Sequence, residues 1–230
     1  AVWLASTRYS NALITIGEYA QAEKLLLSAL DTARAGKFSR ANSDFTTGER
    51  LLALTFMYRG RHAEAQSLLK EIIEVDGAPA GRFINQRNFS RLALARSYLE
   101  QGRLDEAGAE IGTMEGILGS LAEDDLAFSR PAAAQHAGLH GWLAMARGKP
   151  EQAEAHFQRA VDLMLPRQHA QSPHLAGARA DLAWAVAARG DRVRATALLA
   201  EARSAFVAQP AVGLHLKHGL IEAEKLLARR

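Results

Sequence analysis

Apolar and small residues recur along this chain in a pattern that is repeated five times. Each copy has a glycine, an alanine five residues later, a large apolar residue nine later and an apolar or small residue twelve later. Offsets of four and three residues place these positions on one face of a helix, and glycine permits the positive φ at which a helix ends. The glycines, Gly17, Gly60, Gly102, Gly148 and Gly190, follow one another at intervals of 43, 42, 46 and 42 residues.

A second helical pattern precedes each glycine. Eight residues before the glycine three of the copies have leucine, and seven before it every copy has a small residue that lets another helix approach closely. The repeated unit is therefore helix, tight turn, helix, and a fixed period of this length predicts a solenoid. The small residues are Ser10, Ala53, Ala95, Gly141 and Ala183.

The pattern assigns most of the chain to hairpins. Paired helices are predicted at 1–16 and 19–35, 41–59 and 62–75, 80–101 and 104–120, 131–147 and 150–165, and 173–189 and 192–207. A final helix at 211–229 follows Pro210 and is predicted to cap the last hairpin. The more polar segments 121–131 and 165–174 are predicted to be surface loops. We expect one domain of five repeats, at about 1–36, 38–77, 79–121, 131–166 and 173–208. The first residues are typical of the middle of a helix, which favours a piece of a longer protein.

The hairpins resemble the tetratricopeptide repeat (TPR), whose pattern has a small residue in the first helix, glycine at the turn, and alanine, a bulky apolar residue and alanine in the second. Two features differ: the period exceeds the usual length of about 34 residues, and the aromatic residue near the start of the first helix is replaced. Longer repeats of this kind are similar to those of kinesin light chains, peptide-sensing bacterial regulators and the carboxy-terminal halves of bacterial activators and kinases. The resemblance implies an all-α, right-handed superhelix of five hairpins plus a capping helix. The replacing residues are Ser6, Glu49, Arg91, Ala137 and Arg179.

The composition limits the chemistry. The 230 residues include no cysteine, which excludes disulfides, thiol catalysis and thiolate metal sites. A net charge of +3 does not require a nucleic-acid or membrane partner. No apolar run of about 18 residues predicts a membrane-spanning helix, and nucleic-acid binding would require more interleaved aromatic and basic residues. We expect a cytoplasmic protein without a cofactor.

Catalytic motifs are missing from the sequence. It has no phosphate-binding glycine loop, no HExxH and no G-x-S-x-G. His136 and His140 are four residues apart on one predicted helix, a spacing that could bind a metal. Because His140 occupies a position that is leucine in three other copies, a packed histidine is the favoured interpretation. His215 and His218 are predicted to lie on the surface.

Partner-binding residues follow from the resemblance. It implies that the residue six before each turn glycine faces the concave groove, together with residues two, three and ten before it. Tryptophan and arginine are typical anchors of binding surfaces. Whether the tryptophans are exposed in the groove or buried between repeats stays open at this point. The positions so implied include Asn11, Ile14, Arg50, Met57, Tyr58, Arg96, Trp142 and Trp184.

Four arginines recur in and before the first helix of the third copy. Arg82, Arg87, Arg91 and Arg96 are five, four and five residues apart, which predicts a basic stripe on the helix. Such a stripe could hold an acidic peptide, a phosphate or a carboxy terminus, because guanidinium pairs with these groups bidentately. The alternative is a solvated face with an Arg96–Glu100 pair within the helix.

The sequence therefore favours a non-catalytic scaffold that binds a protein or peptide. The expected setting is the sensor or partner-recruiting region of a bacterial signalling protein, a kinase or a transcriptional regulator. The alternative is a self-assembly module, because a first helix that is cut short would leave an apolar end face for a second copy. A metal-dependent enzyme at His136 and His140 is the least favoured interpretation.

Overall fold

A computed structural model describes residues 2–40, 42–74, 86–121 and 123–229, and all regular structure in this part of the chain is helical. The chain divides into two compact units, unit 1 (Ala1–Asp125) and unit 2 (Leu126–Arg230). Five successive hairpins pair α1 with α2, α3 with α4, α5 with α6, α7 with α8 and α9 with α10. The helices are α1 (Val2–Thr15), α2 (Tyr19–Ala35), α3 (Ser43–Tyr58), α4 (His62–Glu74), α5 (Gln86–Glu100), α6 (Leu104–Gly119), α7 (Glu123–Ala146), α8 (Pro150–Met164), α9 (Pro173–Ala188), α10 (Arg192–Ala208) and α11 (His218–Ala228).

The five turn glycines share one backbone conformation. Their φ angles lie between 69° and 89°, in the left-handed region that glycine adopts without steric cost. At Gly190 the amide donates to the carbonyl of Ala187 (3.0 Å), and the next amide donates to the carbonyl of Val186 (3.2 Å). The same two hydrogen bonds recur at the other four glycines and satisfy carbonyls at the end of each first helix. The predicted turns are confirmed.

The small residues of the pattern allow the two helices of a hairpin to meet. The alanine five residues after each glycine is fully buried, as is the large residue nine after it. In the fourth hairpin, a Cβ at Gly141 would lie only 2.4 Å from the ring of Phe157. The ring therefore occupies the space that any larger side chain would need.

A polar contact at a repeated position joins neighbouring hairpins within each unit; we call it the inter-hairpin bridge. Its acceptor is the residue six after a turn glycine, and its donors surround the next turn glycine. Glu23 accepts from Arg59 and Arg61, Gln66 from Arg103, and Glu154 from Arg189 and Arg194. Because Glu23 and Glu154 are each only 14% exposed, these bridges are partly desolvated.

The start of α7 differs from the prediction. The loop predicted for residues 121–131 is wrong, because α7 begins at Glu123 and contains Pro131. Proline suits the first turn of a helix, which is why Pro131 indicated a helix start. Inside α7 its ring nitrogen lacks an N–H and removes one helical hydrogen bond, but the helix continues through it. The second predicted loop is confirmed, since α8 ends at Met164 and α9 begins at Pro173.

The carboxy-terminal helix is shorter than predicted and lies mainly on α9. A 3-10 turn at Leu214–Leu216 precedes α11, where a single helix was expected over 211–229. A Cβ at Gly177 would lie 3.0 Å from the Leu216 carbonyl oxygen, and one at Gly219 only 2.4 Å from the Asp181 amide nitrogen. Further along, Ala223 packs with Ala183 and Leu199. The contacts advance in the same direction on both helices, so α11 runs parallel to α9.

Candidate functional site

A shallow recess between α1 and α3 brings two predicted site residues together in unit 1. Asn11 of α1 and Arg50 of α3 line this recess, which has a volume of about 260 Å³. Thr7 and Asp44 contribute to the same walls. The residues ten and six before Gly17 and the residue ten before Gly60 therefore line one recess.

Arg50 is a half-buried cation of unit 1. Its Nε donates to Oε1 of Gln86 (3.0 Å), and its guanidinium lies 5.5 Å from the centroid of the Phe89 ring. Burial lowers the pKa of Arg50 to about 10, an effect that Tyr58 partly opposes, so the group is still charged at neutral pH. Among the described residues no carboxylate forms an ion pair with it.

Tyr58 and Arg96 form a neighbouring cluster. The Tyr58 ring lies 5.5 Å from the Tyr19 ring and 6.0 Å from the Arg96 guanidinium, measured to the ring centroids. Burial raises the pKa of the Tyr58 hydroxyl, and the charge of Arg96 partly opposes this shift. Arg96 also donates to Glu100 (2.9 Å), which is the intrahelical pair weighed as the alternative to a basic stripe.

The other predicted residues of unit 1 face different surroundings. Arg91 donates to Glu110 of α6 (2.9 Å), whereas Arg87 is half-buried and forms no ion pair with any described residue. Arg82 lies outside the described residues. The expected groove exposure of Ile14 and Met57 is wrong: they are 4% and 2% exposed, because both pack into the core with the following hairpin.

In unit 2 the two tryptophans lie side by side beneath the start of α11. Trp142 and Trp184 are half-buried, with ring centroids 6.3 Å apart and nearly perpendicular planes. The Trp142 Nε1 donates to Oδ2 of Asp181 (3.0 Å). The His218 ring lies 4.2 Å from Trp142 and 5.2 Å from Trp184, so the prediction that His218 is a plain surface residue is wrong. We call Trp142, Trp184 and His218 the aromatic cluster.

The sequence predicted that the last helix caps the last hairpin, but not that this helix covers the two tryptophans. The signal that could have found it is a pair of glycines, Gly177 and Gly219, at positions where no turn is needed. Glycine inside a helix is costly unless another backbone approaches it closely. The aromatic cluster therefore belongs to a helix–helix interface within the chain, and the role of the two tryptophans in a binding groove stays a prediction.

The histidines of α7 form a ring stack. The His140 ring lies parallel to that of His156 at 4.7 Å, and His136 meets His140 edge-on at 4.5 Å. No group of three or more His, Cys, Asp or Glu side chains in the described part of the chain could hold a metal ion. The geometry fits the packed-histidine interpretation. None of the described helices combines the length and apolar character needed to cross a membrane.

Comparison with known proteins gives a consistent family. The sequence model of the tetratricopeptide repeat matches residues 89–112, within the α5–α6 hairpin, and residues 132–159, within the α7–α8 hairpin. Two solved structures are similar at 19% identity: a kinesin light chain-type protein of Podosopora anserina with nearly identical TPR-like repeats (TM-score 0.53; 89% of this chain, 95% of that one) and BtubC of P. vanneervenii (TM-score 0.60; 87% and 78%). At this identity the likeness concerns the fold alone. No curated protein matches the sequence.

Proposed function

Because this chain is a tetratricopeptide-repeat protein with an all-α repeat fold, we propose that it is a non-catalytic scaffold that binds an acidic segment of a partner protein. The binding surface is the face of unit 1 formed by its first helices, with Arg50 and Asn11 at its centre. Tyr58, Arg96 and Arg87 extend it along α3 and α5. A cytoplasmic, bacterial signalling or regulatory setting belongs to the same proposal and is supported by the resemblance of the long repeats.

The observation that carries this proposal is the environment of Arg50. Arg50 is half-buried, and partial removal of a guanidinium from water is unfavourable unless an anion compensates it. Here the described partners are the uncharged Gln86 amide oxygen and the Phe89 ring, and the recess beside Arg50 is open. A carboxylate that enters the recess would supply the missing charge and accept two N–H bonds from the guanidinium. Asn11, on the opposite wall, can donate an amide N–H to the same ligand.

A peptide pair tests the proposal. A fluorescein-labelled peptide rich in Asp and Glu is titrated with the protein and compared with its Asn/Gln isostere, which has the same shape without charge. We expect the acidic peptide to bind at least ten-fold more tightly, and Arg50→Gln to remove most of that preference. Charge-assisted hydrogen bonds contribute about 1.5–3 kcal/mol, which corresponds to ten- to a hundred-fold in Kd.

Two further variants show whether binding depends on the geometry of the Arg50 guanidinium and whether it depends on the overall charge of the protein. Arg50→Lys keeps the positive charge but loses the planar fork, so it should retain part of the preference. Arg167→Gln removes an exposed arginine from the α8–α9 connection and should leave binding unchanged. Equal binding of the two peptides, or equal losses in Arg50→Gln and Arg167→Gln, would contradict the proposal.

A further inference from the structure

The position of α11 differs from that of every first helix that follows a hairpin in the same unit. In both units a first helix packs mainly against the second helix of the preceding hairpin, as α3 does against α2 and α9 against α8. The helix α11 instead packs mainly against α9 and only slightly against α10. It is therefore shifted toward the side of unit 2 formed by the first helices, which is the side where the resemblance places a binding groove.

Few apolar side chains of α11 take part in this contact. Only Gly219 and Ala223 of this helix are buried, whereas its three leucines are half-buried and Ile221 is 39% exposed. By contrast, α9 buries several large side chains, among them Leu175 and Leu182. Because α11 removes less apolar surface from water than α9 does, less free energy is needed to lift it from its neighbours.

Two indole rings meet at nearly a right angle beneath the start of α11. The planes of Trp142 and Trp184 form an angle of 82°, and their centroids are 6.3 Å apart. The His218 ring is tilted by only 33° relative to Trp142, at 4.2 Å between centroids, and it lies 5.2 Å from Trp184. The imidazole therefore lies over the face of one indole and beside the other.

A carboxylate completes this arrangement. Oδ2 of Asp181 accepts from Nε1 of Trp142 (3.0 Å), which orients the indole and places a negative charge at its edge. Oδ1 of the same carboxylate lies at the start of α11, since a Cβ added to Gly219 would be only 2.4 Å from it. We call Trp142, Trp184 and Asp181 the tryptophan corner. All three residues are half-buried, so part of each remains accessible to solvent with α11 in place.

The chemistry of the tryptophan corner favours a cationic side chain. The face of an aromatic ring attracts a cation, most strongly when the ring is that of tryptophan, and a nearby carboxylate adds Coulomb attraction. A neutral side chain would gain from the indoles alone, and an anion would be repelled by Asp181. The side chain that lies there now agrees with this preference, because imidazole is the aromatic side chain that becomes a cation on protonation.

We propose that the tryptophan corner binds a lysine or arginine side chain of a partner protein, and that the His218 ring is an internal substitute for it. When a basic segment of the partner binds, its cation takes the position of the imidazole and the first turn of α11 lifts. This site lies within unit 2 and shares no residue with the recess at Arg50. The two segments that the chain recognises are therefore opposite in charge, and either site can exist without the other.

The indole N–H signals in a two-dimensional NMR spectrum report on the site directly. The chain has three tryptophans, and Trp3→Phe identifies the signal that belongs to unit 1. The probe is a capped peptide of glycine and serine that contains lysines, and its matched partner has norleucine, which keeps the aliphatic stem without the charge. We expect the lysine peptide to shift the Trp142 and Trp184 signals and to bind about three- to thirty-fold more tightly, the range of one cation–π contact.

Paired variants test the carboxylate and the histidine. Asp181→Asn keeps an oxygen that can accept from the Trp142 indole but removes the charge, and it should abolish most of the preference for lysine. Asp162→Asn removes an exposed carboxylate of α8 and should leave the preference unchanged. His218→Ala empties the corner and should strengthen binding of the lysine peptide about three-fold or more, whereas His218→Lys fills it with a permanent cation and should weaken binding.

Circular dichroism establishes that each variant is folded. Equal affinities for the two peptides, or an unchanged preference in Asp181→Asn, would overturn the proposal. The same conclusion would follow if the Trp142 and Trp184 signals failed to respond in His218→Ala, or if this variant did not bind the lysine peptide more tightly. Arg50→Gln should behave like the unmodified chain, which distinguishes this outcome from that of the acidic-peptide test.

Discussion

The docking of α11 leads to a quantitative prediction. In Gly219→Ala the new Cβ would lie 2.4 Å from the Asp181 amide nitrogen and 2.6 Å from the Ala180 carbonyl carbon, both backbone atoms that cannot rotate away. Ordinary contacts of a Cβ begin at 3.4 Å, so α11 and α9 must separate by about 1 Å. Overpacking of this kind costs about 1–3 kcal/mol. The docking equilibrium of α11 should fall by about five- to a hundred-fold.

Tryptophan emission measures this change, because His218 at the start of α11 covers Trp142 and Trp184. In a Trp3→Phe background these two are the only tryptophans, and loss of α11 exposes them to water. We expect a red-shifted emission and faster amide exchange in α11, whose eleven residues are too few for a stable isolated helix. Gly116→Ala is the matched control, because no atom lies within 4 Å of its added Cβ. Unchanged emission and exchange in Gly219→Ala would refute the reasoning.

Two further predictions concern stability. Burial raises the pKa of Glu154, but the hydrogen bonds from Arg189 and Arg194 outweigh burial and hold this pKa below its usual value. The inter-hairpin bridge at Glu154 therefore stabilises the fold at neutral pH. This stabilisation is lost as the pH falls through the lowered pKa. Glu154→Gln should therefore lower the free energy of unfolding by about 1–2 kcal/mol at pH 7 in urea titrations. The loss should become progressively smaller as the pH falls from the ordinary pKa of a glutamate through the lowered pKa of Glu154. Gly102→Ala, at φ +72°, should lower the free energy of unfolding by about 1–2 kcal/mol. Gly112→Ala, whose added Cβ is equally free of neighbours but lies inside α6, should raise the free energy of unfolding by about 0.5–1 kcal/mol. Equal effects of the two substitutions would contradict the role assigned to positive φ.

The sequence predicts the hairpins well because their determinants are local. The positive φ of each turn favours glycine, and the close approach of the two helices favours alanine. Both residues therefore recur at fixed offsets in the sequence. The start of α7 could not be predicted in this way, because Pro131 suits a first turn and is also tolerated inside a helix when packing maintains it. The predicted start of the helix was therefore placed at Pro131, whereas α7 begins at Glu123.

The candidate site is predictable to a smaller extent. Repeat register placed Asn11 with Arg50 and Trp142 with Trp184 on common surfaces, since equivalent positions in neighbouring copies must lie close together. The position of a residue in the repeat does not predict which neighbouring residue its long side chain will contact. Arg91 turns to Glu110 and Arg96 to Glu100, and the exposure of an arginine depends on such partners. The contact between α11 and the aromatic cluster depends on tertiary packing between residues far apart in sequence.

The tether between α10 and α11 has a consequence for any ligand that seeks the tryptophans of unit 2. A short connection keeps α11 near the surface of α9 at an effective concentration on the order of millimolar. A helix from another molecule must compete with α11 for the surface of α9. Its apparent affinity is its intrinsic affinity multiplied by the fraction of molecules in which α11 has left that surface. A helix that took the place of α11 would need glycine where Gly219 meets the backbone of α9.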